Sequence, residues 1–135
     1  MKRLMLLCVP LMLAACATQD EQITQDVEQA VRDFIAVGQL HEVDEIRTGT
    51  RDRWEKIDQN FILYTTNNQI YLVEFVKRCW ELDELPVVPD VRQSTSRIRA
   101  RFDTIRGCRI ARLFALNEGQ TAELKNIGES PGSRN

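Results

Sequence analysis

Ile23, Val27, Ala30, Val31, Phe34 and Ile35 fall at i, i+4, i+7, i+8, i+11 and i+12, a single apolar stripe with the 3.6-residue period of an amphipathic helix. The stripe begins at Ile23, and Gly38, which accepts left-handed backbone, marks its end. From Ile46 onward the period shortens toward two. Residues 61–66 (Phe-Ile-Leu-Tyr-Thr-Thr) are aromatic and β-branched, and Asn67-Asn68 tolerate the positive φ of a two-residue turn. The return run places Tyr71, Val73 and Phe75 on one face and Ile70, Leu72, Glu74 and Val76 on the other. Only Glu74 interrupts the second face, so both faces are expected to be covered, with the helix as one cover.

Farther along, residues 85–90 read as a connection, because Pro86 and Pro89 cannot donate to a ladder. Residues 96–103 alternate strictly: Ile98, Ala100 and Phe102 on one side, Arg97, Arg99 and Arg101 on the other. Gly107 turns the chain into a last strand over residues 108–116, in which Ile110 and Leu113 stand three apart and imply a bulge. Residues 121–127 suit a short helix and residues 128–135 a frayed tail. Together these elements predict an α+β fold. An N-terminal helix packs on an antiparallel sheet of about five strands, open or curled toward a barrel, in one domain spanning residues 23–127.

Residues 1–15 follow a different logic. Met1-Lys2-Arg3 is a cationic start, residues 4–13 form an apolar run, and Ala14-Ala15 are small, which is the layout of an export signal. At about 1.5 Å per residue the run covers roughly 15 Å, half the thickness of a hydrocarbon core, so it does not span one. Leu13-Ala14-Ala15-Cys16 resembles the lipobox of bacterial lipoproteins. That resemblance implies cleavage before Cys16 and acylation of its sulfur and amino group, with residues 16–22 as lipidated cysteine and tether. The alternative is plain secretion, with Ala15-Cys16-Ala17 as an A-x-A site. Ala17 is not Asp, which by the enterobacterial sorting pattern implies the outer membrane, facing the periplasm.

Length and charge narrow the functional classes. The chain has 135 residues, 43% of them apolar, which suits one small domain. Without Lys2 and Arg3, 16 basic residues stand against 20 acidic ones, and a net charge of −4 argues against nucleic acid as a partner. Of the four cysteines, Cys8 leaves with the leader and Cys16 carries lipid, so Cys79 and Cys108 are expected to pair in an oxidising compartment. A loop of that length stabilises by about 3.5 kcal/mol in the chain-entropy picture. A redox-active pair is the alternative, without the C-x-x-C spacing that usually accompanies one.

Trp54-x-x-Ile57-Asp58, Tyr71-Leu72 ahead of Cys79, Phe102-Asp103 and Cys108-Arg109-Ile110 resemble a family of small proteobacterial lipoproteins classed only as a domain of unknown function. The likeness covers about residues 46–116. It rests on framework positions, so it implies a fold and no substrate, cofactor or catalytic residue.

Candidate chemistry is sparse. His41 is the sole histidine, so neither a zinc site nor H-E-x-x-H is available, and Glu42, Asp44 and Glu45 lack the ligand spacing of a calcium loop. A hydrolase would need His41 beside Ser94, Ser96, Ser130 or Ser133, none of them in a G-x-S-x-G turn. No catalytic residue, cofactor or metal is therefore expected. The arginines are more informative. Between residues 92 and 112 lie Arg92, Arg97, Arg99, Arg101, Arg106, Arg109 and Arg112, with Asp103 as the lone acid. Arg97, Arg99 and Arg101 on alternate positions would form a ladder for carboxylate or phosphate. Its competing explanation is a solvated face paired with the acidic helix region or with Glu74. The reading is a non-enzymatic envelope lipoprotein whose arginine surface meets an envelope protein, cell-wall polymer or anionic lipid. A small apolar-ligand carrier, with a cavity lined by Trp54, Tyr71 and Phe102, is the alternative, and a hydrolase centred on His41 comes third.

Overall fold

The computed structural model describes residues 17–84 and 96–129, with side chains from residue 21. The leader, Cys16, the 85–90 connection, Arg92, Ser94 and the segment from Ser130 lie outside the described residues.

Helix α1 runs Ala17–Val37, six residues longer at its start than the apolar stripe indicates. Residues 17–22, expected as a tether, are helical backbone continuous with it. Next come β1 (His41–Val43), β2 (Glu45–Arg47), β3 (Arg53–Lys56), β4 (Phe61–Thr66) and β5 (Gln69–Phe75). A single 3-10 turn over Trp80–Asp83 precedes β6 (Arg97–Arg99), β7 (Thr104–Ile105), β8 (Cys108–Leu116) and α2 (Glu118–Gly128). The last helix starts at Asn117, whose side chain accepts from the Gln120 amide while Gln120 bonds back to the Asn117 amide. Gly128 is its final residue, not the first of a tail.

The main sheet is antiparallel and has six strands, ordered β1-β8-β5-β4-β3 with β7 added against β8, and it is not closed into a barrel. The β4–β5 hairpin is as the sequence indicates: Asn67 and Asn68 both take positive φ, 48° and 62°. That geometry matches the twist of the flanking strands. The anticipated bulge is also present. Glu74 pairs with Arg112 and Phe75 with Ile110, which leaves Ala111 as the extra residue of β8.

Both faces of the sheet are buried. On one, Val27, Val31 and Phe34 of α1 and Leu124 of α2 pack over Phe61, Leu63, Leu72 and Phe114. On the other, Tyr64, Val73, Phe75 and Leu113 lie under Ile46, Ile98, Leu82 and the Cys79–Cys108 disulfide. The second cover is a two-stranded ribbon, β2 with β6, that the sequence pattern does not separate from the sheet.

The alternation read over residues 96–103 holds through Ala100, which is buried with Ile98, and fails at Phe102. Arg101 adopts φ 68°, and Asp103 folds back, its amide donating to Arg99 O while its carboxylate accepts from Arg99 N at 2.7 Å. A turn with that side-chain bond competes successfully with a strand. Phe102, expected inside with Ile98 and Ala100, is consequently 74% exposed. Val76 is likewise outside, because β5 ends at Phe75.

Candidate functional site

In the β2–β6 ribbon Glu45 faces Arg99, Ile46 faces Ile98 and Arg47 faces Arg97. The two isoleucines point into the core, so the remaining four side chains share the exposed face. Arg97 Nη1 donates to Glu45 Oε1 at 2.8 Å. Arg99 bonds Asp103 and lies over the Phe102 ring at 5.5 Å. The Arg99 bond holds the Asp103 carboxyl below its usual range.

The ladder is therefore not the one the alternation implies. Arg97 and Arg99 belong to it, but Arg101 is carried onto the turn, where its Nη2 stands 3.9 Å from Glu42. Arg47 joins instead. It is exposed, sits directly across from Arg97 and has no ion pair among the described residues. No local signal identifies it, since the pairing joins strands on either side of most of the sheet. Like charges directly opposite in a ribbon are unfavourable by a few tenths of a kcal/mol or more, a cost an intervening anion removes.

A second charged cluster joins α1 to the sheet. Glu74, buried, accepts from Arg32 Nη1 at 3.0 Å and from Arg112 Nε at 2.5 Å. Arg32 also binds Glu28 at 2.8 Å and covers the Phe61 ring, and Arg78 stands 3.8 Å from Glu28. The bond to Glu74 raises the Arg112 pKa, and that to Glu28 raises Arg32, so both stay charged throughout. Glu74 is thus the partner of Arg112 and α1, not of the ladder.

The β3–β4 turn buries Asp58, Gln59 and Asn60. Asp58 Oδ1 accepts from the Asn60 and Phe61 amides at 2.7 and 2.8 Å, while burial pushes its pKa up to about 6. Asp58 Oδ2, Gln59 Oε1 and Asn60 Nδ2 have no hydrogen-bond partner among the described residues. Gln59 and Lys56 both donate to Asp83; against the effect of burial, these bonds hold its pKa low.

His41 is exposed on β1 and its imidazole makes no hydrogen bond among the described residues, and Ser96 is exposed ahead of β6. Cys79 and Cys108 form the anticipated disulfide, with Glu81 Oε2 at 3.1 Å from Cys108 Sγ. These three are the one group among the described residues with metal-ligand spacing, and a disulfide offers a metal no thiolate. Trp54 and Tyr71 pack against the core beneath the ribbon while Phe102 faces solvent, so the three line no common cavity. A groove of about 490 Å³ opens instead beside β3, lined by Trp54, Leu63 and Ile70 together with Arg53, Glu55 and Lys125, the last two 3.2 Å apart.

A family model described as "Family of unknown function (DUF6491)" matches residues 1–126. No curated protein and no solved structure matches the chain.

Proposed function

Starting from the fact that the chain belongs to the Family of unknown function (DUF6491), we propose that it is a bacterial envelope lipoprotein, held to a membrane by an acylated Cys16, that works by binding and not by catalysis. The observation that carries the binding surface is the juxtaposition of Arg47 and Arg97 on the exposed face of the β2–β6 ribbon, with Arg99 beside them. Guanidiniums gathered across a ribbon, Arg97 with one nitrogen bonded to Glu45, suit the oxygens of a carboxylate or phosphate. The partner is an acidic envelope protein or an anionic cell-wall polymer in the periplasm of an outer-membrane-anchored chain.

Crosslinking in the native envelope tests this. Arg47→Gln, Arg97→Gln and Arg99→Gln combined should abolish the specific crosslink that the parent chain gives, with Arg101→Gln leaving it in place. A crosslink unchanged in the triple variant removes the ribbon as the surface. The mass of the processed N-terminal peptide tests the anchor separately, since bare Cys16 removes the lipoprotein reading.

A carrier of a small amphiphile is the second reading, favoured by the groove beside β3, where Trp54, Leu63 and Ile70 meet Arg53, Glu55 and Lys125. An anionic fluorescent amphiphile displaced by Leu63→Trp would support it, and no uptake of that probe would end it.

A further inference from the structure

The charged links between α1 and the sheet fix which end of the domain the N-terminus leaves from. Arg32 bonds Glu74 and, one helical turn earlier, Glu28 approaches Arg78, so α1 runs antiparallel to β5. Its start projects past the end of the sheet where β5 finishes. From Glu28 back to Ala17 the helix adds about 16 Å. No tether intervenes, because the helix begins at Ala17, next to Cys16.

That same end carries three of the four large apolar side chains exposed among the described residues. Val76, 61% exposed, follows β5 directly and donates its amide to Arg109 O; Trp80, 60% exposed, follows Cys79, whose amide donates to Gln59 O. Phe102 is on the turn that Arg101 N ties to Ile110 O, opposite Phe75 at the end of β5. Lys77 and Arg101, next in the chain to Val76 and Phe102, and Arg109, whose carbonyl accepts from Val76, are exposed as well. Of the acids nearby, Asp103 is held by Arg99, Asp83 by Lys56 and Gln59, and Glu42 stands 3.9 Å from Arg101, while Glu81 and Glu84 are exposed beside Trp80. Arg47, and Arg97 paired with it, lie at the other end, where Arg47 O accepts from Thr66 and Asn67 beside the hairpin turn, whereas Arg99 reaches back over the Phe102 ring.

We propose that this end of the sheet is a bilayer-facing surface, with Val76, Trp80 and Phe102 entering the interfacial layer and Lys77, Arg101 and Arg109 against anionic phospholipid head groups. Tryptophan and phenylalanine beside lysine and arginine is the side-chain mixture that partitions at that depth, where an apolar body is buried and a cation meets phosphate. The orientation turns the Arg47–Arg97 face away from the membrane. The inference rests on the Cys16 anchor for its biological setting, but the surface itself is testable without the lipid.

The test uses the full chain made unacylated by Cys16→Ala, with Trp54→Phe so that Trp80 alone reports. Vesicles of phosphatidylglycerol and phosphatidylethanolamine should shift Trp80 emission to shorter wavelength and lower acrylamide quenching at least twofold, and phosphatidylcholine vesicles should do neither. Lys77→Glu, Arg101→Glu and Arg109→Glu combined should weaken vesicle binding tenfold or more, and Phe102→Ser should reduce the shift. Arg47→Gln with Arg97→Gln should bind vesicles as the parent does. Trp80 emission unchanged by anionic vesicles, in a chain with an intact circular dichroism spectrum and disulfide, overturns the proposal. Acylated Cys16 with an unresponsive Trp80 sinks this surface alone, whereas bare Cys16 with a responsive Trp80 sinks the anchor alone.

Discussion

Arg32 on α1 reaches Glu74 on β5 with an Nη1–Oε1 separation of 3.0 Å, so the one acid on the helix-facing side of the hairpin is the point where helix and sheet are tied. Glu74 is 6% exposed, whereas Arg32 and Arg112 keep about two-fifths of their side-chain surface in water. The buried member of the trio is therefore the carboxylate, and it depends on both cations.

Glu74→Ala should lower stability by about 2 kcal/mol, the usual range for losing charge-assisted bonds at a buried acceptor. Glu74→Leu should cost less, because the two arginines can rehydrate and leucine restores apolar contact with Leu72 and Phe114. Urea unfolding of both variants decides the order; equal losses would mean that the lost carboxylate bonds, not packing, set the energy there.

Removing the disulfide by Cys79→Ala with Cys108→Ala should destabilise by about 3.5 kcal/mol, the loop-closure value for its 29-residue separation. Both sulfurs lie in the core beneath the ribbon, so the loss should also loosen Ile46 and Ile98. Hydrogen exchange at their amides, faster than in the parent while β4 and β5 remain protected, is the expected pattern.

Asp58 gives a pH dependence of known sign. Its folded pKa is about 6 against an ordinary 3.8, so the folded chain holds a proton that the unfolded chain has released between those values. Stability from this group is present below about pH 4 and is lost as pH rises through 6, by on the order of 2–3 kcal/mol. Asp58→Asn keeps an acceptor for the Asn60 and Phe61 amides and should flatten that segment of the profile. Since Asp83 and Asp103 act in the opposite direction, the difference between variant and parent, measured from pH 4 to 7.5, is the quantity to follow.

Gly107→Ala should cost about 1 kcal/mol although a methyl group would meet nothing within 4 Å. The cost is conformational. Arg106 and Gly107 are the two turn residues between Ile105 and Cys108, with φ of 50° and 83°, and alanine resists the second value. A melting temperature unchanged in the variant would show that the turn relaxes.

How much of this was legible in the chain differs element by element. The hairpin was readable because each of its signals is local: Asn67 and Asn68 choose the turn, and Phe61 to Thr66 and Ile70 to Phe75 supply the period. The bulge was readable from the spacing of Ile110 and Leu113, and the Cys79–Cys108 pairing from the count of cysteines. The arginine surface was only half readable. Arg97 and Arg99 follow from alternation, but Arg47 enters through pairing between distant strands, and Arg101 and Phe102 leave because Asp103 closes a turn on Arg99.

The sequence by itself determined the two-faced hairpin, the amphipathic helix and the disulfide, since periodicity, turn chemistry and cysteine number act over neighbouring residues or by elimination. Only the tertiary structure decided that β2 and β6 form a separate ribbon, that Glu74 is clamped between α1 and β8, and that Val76, Trp80 and Phe102 gather at the end where the helix begins. Those relations depend on which strands meet and on which end of a helix overhangs a sheet. Contacts between residues far apart in the chain settle them, and a period of two or 3.6 carries no information about such contacts.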